Sequence, residues 1–183
     1  ILRSGCLYSR VEARRRGLMV TDNASLAVIA GTEPQHQQFV RLYFRPRTPT
    51  QFRNEGIRPV GRRYCPNPDY PPAHCAVPVF FCFDAVEVLS RDDVCFSNGN
   101  MGSPHVQYGD TQEFFEAIPF DHVFHQGAFL PDQRNSIIFS RNAEVLVPDA
   151  LPLDLALRMI VCRSAAERQT LLHLIPEIER ARW

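Results

Sequence analysis

The chain has 183 residues, 45% hydrophobic and 22% charged, as expected of one globular domain with a substantial core. Its 20 basic and 20 acidic residues cancel, which argues against strong nonspecific binding to duplex nucleic acid but leaves room for a local basic patch. No apolar run reaches the roughly 18 residues of a membrane-spanning helix. The opening from Ile1 to Cys6 is not a signal peptide, so the expected location is the cytoplasm, with reduced thiols.

In chain order, residues 3–16 predict a helix closed by Gly17. It reads as entered partway, so further residues are expected upstream of Ile1. Residues 26–30 form a short apolar stretch ended by Gly31. Residues 39–44 alternate apolar and polar side chains, the period of a strand. Pro46 and Pro49 end that strand and stiffen the loop after it. Over 54–76, Pro59, Pro66, Pro68, Pro71 and Pro72 exclude regular helix or central strand and predict a binding loop or lid.

Residues 77–83 are almost continuously apolar, predicting a buried strand, and 84–89 either continue it or form a short helix. A short strand over 94–96 runs into the turn Ser97-Asn98-Gly99-Asn100. Residues 111–117 predict a helix with Thr111 as N-cap. Strands are expected at 137–139, 144–147 and 157–162, then a helix capped by Ser164 and running to Leu174, with Pro176 interrupting it. The sum is an α+β fold in a single domain over 1–183, a mainly β core with peripheral helices.

Every basic residue is arginine, so cationic contacts fall to guanidinium groups, which grip phosphates bidentately and stack on bases. Arg14-Arg15-Arg16, Arg41 with Arg45 and Arg47, and Arg62-Arg63 are candidate patches. The cysteines are Cys6, Cys65, Cys75, Cys82, Cys95 and Cys162, none spaced as CxxC, and no His pair completes a zinc pattern. Cys82 and Cys162 sit in apolar runs and are expected to be buried. Cys65 and Cys75 bracket the Pro-rich stretch and could bridge, against a default of reduced thiols.

Four constellations could carry chemistry. Glu144 puts a carboxylate among strand-forming apolar residues, where burial is costly unless the charge is paired or used. The alternative is an outward-facing Glu, or a partner for Arg141. Arg45 and Arg47, with Pro46 between them, fall on one side of an extended segment and could clamp a pyrophosphate, or simply protect a solvated edge. Asn98 and Asn100, with His105 nearby, could read an amide or base edge, or serve only the turn. The stretch from Asp121 to Phe129 holds His122, His125 and aromatics suited to base stacking, with Arg134 and Arg141 following to meet phosphates. It shows no third metal ligand, so no metal site is expected. Walker, GxGxxG, GxSxG and HExxH motifs are absent, and no acidic cluster supports a metal-dependent nuclease.

Taken together, several of these segments resemble the DarT-type ADP-ribosyltransferases, across most of the chain. The run from Leu42 through Tyr43-Phe44-Arg45-Pro46-Arg47-Thr48 to Pro49 is similar to the family's YFxxRSPM segment. Phe96-Ser97-Asn98-Gly99-Asn100 is similar to FTDGH, and Asn142-Ala143-Glu144-Val145-Leu146-Val147 to QAEFLV, in the same order. Residues 1–7 resemble the end of the family's N-terminal helix and its Gly-Leu turn, which places a family histidine upstream of Ile1.

The resemblance implies a split β-sheet around an NAD cleft and a transfer of ADP-ribose from NAD to a base in single-stranded DNA, without a metal. It implies that Glu144 and Arg47 are catalytic, with Arg47, Arg45, Tyr43 and Thr48 holding NAD. Asn100, Asn98, His125, Arg134 and Arg141 would meet the nucleic acid. In this chemistry a carboxylate stabilises the positive ribose left by nicotinamide and can take a proton from the attacking base. The family's members are often toxins paired with a macrodomain antitoxin. Asn100 departs from the family's His, and Thr48-Pro49-Thr50 from SPM, leaving RNA as an alternative acceptor and an inactive nucleic-acid-binding module as an alternative role.

Overall fold

The computed structural model describes residues 1–18, 32–46, 48 and 77–176. The expectations for residues 26–30 and 54–76, and for Cys65, Cys75 and Arg47, lie outside them. The strands are β1 (Cys6–Tyr8), β2 (Phe39–Tyr43), β3 (Val79–Phe83), β4 (Cys95–Ser97), β5 (Tyr108–Gly109), β6 (Glu144–Pro148), β7 (Ala150–Pro152) and β8 (Leu157–Cys162). The helices are α1 (Arg10–Arg15), α2 (Ala85–Leu89), α3 (Gln112–Glu116), α4 (Phe120–Val123), α5 (Arg134–Ser140), α6 (Leu153–Ala156) and α7 (Ala165–Leu174), with a 3₁₀ turn at Pro34–Gln38.

A four-stranded antiparallel sheet runs in the order β2-β6-β4-β5, flanked by the pairs β1-β7 and β3-β8. Its central strand β6 is lined on both sides, so Val145, Leu146 and Val147 are all buried. Strand period and register then sort the side chains by face. Val40 faces Val147, and Leu42 and Phe96 face Val145; this side packs with Val88, Ile118, Val123 and Leu151 into the core. Phe44, Phe115 and Phe120 extend that core through edge-on and tilted ring contacts at 5.1–6.2 Å. The opposite side carries Arg41, Tyr43, Ser97, Glu144 and Leu146. One face of the sheet is therefore the core and the other is polar, with the carboxylate at its centre.

Local signals set several boundaries as expected. Thr111 caps α3 by accepting from the Phe114 N–H, and Ser164 caps α7 by accepting from the Glu167 N–H. Asp84 caps α2, so residues 84–89 form a helix and do not continue the strand. Gly17, at φ +66°, closes α1.

Other boundaries moved. Residues 3–16 are not one helix: Gly5 turns the chain at φ +64°, residues 6–8 pair with β7, and buried Ser9 starts α1 by capping the Glu12 N–H. Arg15 and Arg16 fold back onto Glu12, which draws its carboxyl down to about 2 and leaves less of the Arg14-Arg15-Arg16 patch for a ligand. Residues 137–139 are helical, within α5, whose buried face carries Ile137 and, three residues on, Ser140, while Ile138 faces out. Strand β3 is only half-buried, pairing among the described residues with β8 alone, and Cys82 and Cys162 are likewise half-buried.

Candidate active site

Glu144 opens β6 and is 1% exposed, which settles the outward-facing alternative against it and leaves it without the Arg141 contact. Opposite it on β2 sits Tyr43, whose hydroxyl hydrogen-bonds the carboxyl, and two residues earlier on the same face Arg41 brings a guanidinium to 3.8 Å from Oε2. The backbone N–H of Met101 donates to Oε2 at 3.1 Å. Ser97, fully buried on β4, accepts from the Glu144 N–H at 3.0 Å and donates to the Gly99 carbonyl at 2.7 Å. Burial pushes the Glu144 carboxyl above its ordinary range; Arg41, the Met101 N–H and Tyr43 each pull it back down. Strongly desolvated carboxylates with a specific cation at hand cluster at functional sites.

A cavity of about 600 Å³ opens between β2 and the β3–β8 pair, lined by Arg41, Tyr43, Arg45, Thr48, Phe81 and Phe83 among others. Arg41 and Tyr43 thus touch both the carboxyl and the cavity. Its walls are mostly apolar and include Leu42, Phe44, Val88 and Val145 from the core face, with Arg41, Tyr43, Arg45 and Thr48 bringing the polar groups; Glu144 is not among the residues that line it. Arg45 also donates to the Val123 carbonyl at 3.2 Å, tying the end of β2 to α4. Arg47 lies outside the described residues.

The turn after β4 holds its asparagines tightly. Asn98 Oδ1 accepts from the Gln107 N–H at 3.0 Å, and Asn100 Oδ1 accepts from the Gly102 N–H at 2.7 Å. Their side-chain oxygens therefore serve the loop, and through it the Met101 N–H that meets Glu144. His105 is exposed and contributes its backbone N–H to Ser103.

Ahead of β6, His125 stacks on Phe129 at 5.8 Å, and the Arg141 guanidinium lies over the Phe129 ring at 4.6 Å. Arg141 also donates to His125 Nδ1 and to the His125 carbonyl. Phe124 is 52% exposed beside this cluster in sequence, and Arg134, at the start of α5, is exposed. The structure brings His125 and Arg141 together but keeps them apart from the Glu144 hydrogen-bond network. Among the described residues no three His, Cys, Asp or Glu side chains gather as a metal site, and no helix is long and apolar enough to cross a membrane.

Sequence reasoning grouped Arg41 only with a basic patch; the strand period was the signal that sets it on the face of Tyr43 and, by pairing, of Glu144. Ser97, Met101 and His36 were missed as site residues. Ser97 lay inside a recognised motif, whereas His36 and Met101 meet across 65 positions and carry no local signal.

The chain matches the family described as "ssDNA thymidine ADP-ribosyltransferase, DarT" over residues 1–182. No curated protein matches it. Among solved structures, Thermus sp. 2.9 DarT in complex with ADP-ribosylated ssDNA superposes with a TM-score of 0.68 at 17% identity, covering 94% of this chain and 79% of that one. The same protein in complex with NAD+ superposes with a TM-score of 0.63 at 16% identity, covering 94% and 80%. Thermosipho africanus DarTG in complex with ADP-ribose gives 0.67 at 17% identity, covering 96% of this chain and 43% of that one. These likenesses establish the split-sheet ADP-ribosyltransferase fold, and the family match over nearly the whole length establishes that the chain belongs to the DarT family of single-stranded-DNA thymidine ADP-ribosyltransferases.

Proposed function

We propose that this chain transfers ADP-ribose from NAD to thymidine in single-stranded DNA with Glu144 as the catalytic carboxylate, and that it acts in the cytoplasm as the toxin of a toxin–antitoxin pair. The observation that carries the reading is the buried Glu144 carboxyl, held between Arg41, Tyr43 and the Met101 N–H on the polar face of the sheet. A carboxylate in that setting stabilises positive charge developing on a ribose and can accept a proton from the attacking base. Because the carboxyl is 1% exposed, a ribose reaches it only when a covering side chain moves aside.

Arg41, Arg45 and Thr48 supply donors along the cavity for the diphosphate, and Arg47, beside Thr48 in sequence, serves as the second essential residue. The stacked His125 and Phe129 with Arg141, and the exposed Arg134, offer a base-stacking and phosphate-binding surface for an unpaired strand. Relatives solved with NAD+, carba-NAD+ and ADP-ribosylated ssDNA support the donor and the acceptor. More than half of the Thermosipho africanus DarTG chain lies outside the match. That is consistent with a separate antitoxin function, which we assign to a macrodomain hydrolase that removes the mark.

The test is intact mass spectrometry of a thymidine-containing single strand after incubation with the chain and NAD. A gain of one ADP-ribose on thymidine is expected, and Glu144→Gln should lower the rate at least about a hundredfold while leaving the fold intact. Wild-type turnover by that variant would remove Glu144 from the chemistry. Transfer to RNA and not to DNA would replace the acceptor.

A further inference from the structure

We propose that His36 is a positioning residue for this transfer: it anchors the Met101 backbone so that the Met101 N–H stays aimed at Glu144. The inference rests on Glu144 being the catalytic carboxylate and goes beyond it by assigning a role to a histidine that touches neither donor nor acceptor.

The geometry is a chain of backbone contacts. The Met101 N–H donates to Glu144 Oε2 at 3.1 Å, and the next peptide unit along is held at both of its poles. Its carbonyl, that of Met101, meets His36 Nδ1 at 3.2 Å, and its N–H, that of Gly102, donates to Asn100 Oδ1 at 2.7 Å. The Ser103 N–H closes the same turn onto the Asn100 carbonyl at 2.8 Å. Fixing that peptide unit fixes the dihedrals at Met101, and with them the direction in which the Met101 N–H points.

His36 is built to hold such an anchor. It is buried in the 3₁₀ turn that leads directly into β2, the strand that carries Arg41 and Tyr43. Its ring stands edge-on to Tyr108 of β5 at 5.4 Å and 89°, which fixes the rotamer. A carbonyl only accepts, so Nδ1 carries the proton; Nε2 is left facing Glu33, with Oε2 at 3.8 Å. Through His36 the edge strand β2 and the turn after β4 are locked to each other across β6, and the carboxylate sits where both converge. Asn100 acts in the same device from within the turn.

Two substitutions separate positioning from mere packing. His36→Phe keeps the ring and its contact with Tyr108 but removes the donor. His36→Asn restores a donor close to the place of Nδ1. The groups facing the Glu144 carboxyl are Arg41 and Tyr43 from β2, the Met101 N–H from the turn, and Ser97 beside its backbone. Of these, the Met101 N–H is the one whose own residue His36 contacts, through the Met101 carbonyl. With NAD and a thymidine-containing single strand, His36→Phe should lower kcat about tenfold, the scale of one hydrogen bond to a charged group, with KM for NAD within about twofold. It should also move the acid limb of the kcat–pH profile to higher pH and speed hydrogen exchange at the Met101 amide. His36→Asn should recover most of each effect.

An unchanged acid limb and unchanged Met101 exchange in His36→Phe would overturn the proposal. So would equal losses in both variants accompanied by a lowered Tm, since that pattern means packing alone. Glu144→Gln is assayed alongside. If it is inactive while His36→Phe behaves as wild type, only the positioning role falls; if Glu144→Gln retains full activity, the catalytic reading falls and the positioning role falls with it.

Discussion

Replacing Arg41 by Met keeps an apolar stem of similar reach on β2 and removes the guanidinium that lies 3.8 Å from Glu144. At that 3.8 Å separation, two unit charges attract by about 4 kcal/mol at an effective dielectric of about 20. Arg41 is 27% exposed, so water screens part of this, and about 2 kcal/mol is the working figure. The Glu144 carboxyl should therefore titrate higher in the variant than in the wild type. The direction adds to a shift already present, since burial holds this carboxyl above its ordinary range in the wild type.

The sign dictates two readouts. Transfer needs the ionised carboxylate, so the acid limb of kcat/KM against pH should move to higher pH in Arg41→Met, with activity recovering at alkaline pH. For stability, a carboxyl whose folded value is raised favours the folded state below its unfolded value, and that advantage is lost as pH rises through the folded value. The variant loses more, because less offsets its buried charge. Wild type and Arg41→Met should therefore melt most nearly alike in acid and diverge as pH rises, the variant becoming the less stable by up to about 2 kcal/mol. A Tm difference that does not change with pH, together with an unmoved acid limb, would refute the pairing as the source of the effect.

Glu144→Gln should raise Tm near neutral pH while abolishing transfer, because the buried charge is gone; thermal melts at pH 4 and pH 8 check that the gain disappears in acid. Ser97→Ala leaves the Glu144 N–H and the Gly99 carbonyl without the hydroxyl that serves both, and should cost about 1–3 kcal/mol by urea unfolding. Gly99→Ala would set a Cβ 2.5 Å from the Phe139 ring, so its expected loss of about 1–3 kcal/mol should be relieved by a second change, Phe139→Leu, in a double-mutant cycle. Phe129→Ala removes the ring on which both His125 and Arg141 pack and should raise KM for the DNA strand about tenfold, with KM for NAD unchanged in steady-state assays.

What the sequence determined by itself was whatever is written in short-range chemistry. The alternation over β2, the apolar run of β6 and the caps Thr111 and Ser164 depend on neighbouring residues only, so they could be read directly. The family's motifs are equally local, which is why Glu144 stood out while still unplaced in space. The tertiary structure decided what local chemistry leaves degenerate. Ile137, Ile138 and Phe139 have strand-forming side chains, yet the burial available to α5 made them helical. Residues 6–8 carry no strong strand signal and became one because β7 offered its edge. The asparagines of the turn after β4 looked ready for a ligand, and their oxygens went to backbone N–H groups instead. Around Glu144, Arg41 arrives by strand register, and Met101 and His36 by a contact spanning 65 positions. Such partners are fixed only when strands pair, because the free energy that selects them is the cost of burying a charge, and that cost exists only after the core has closed.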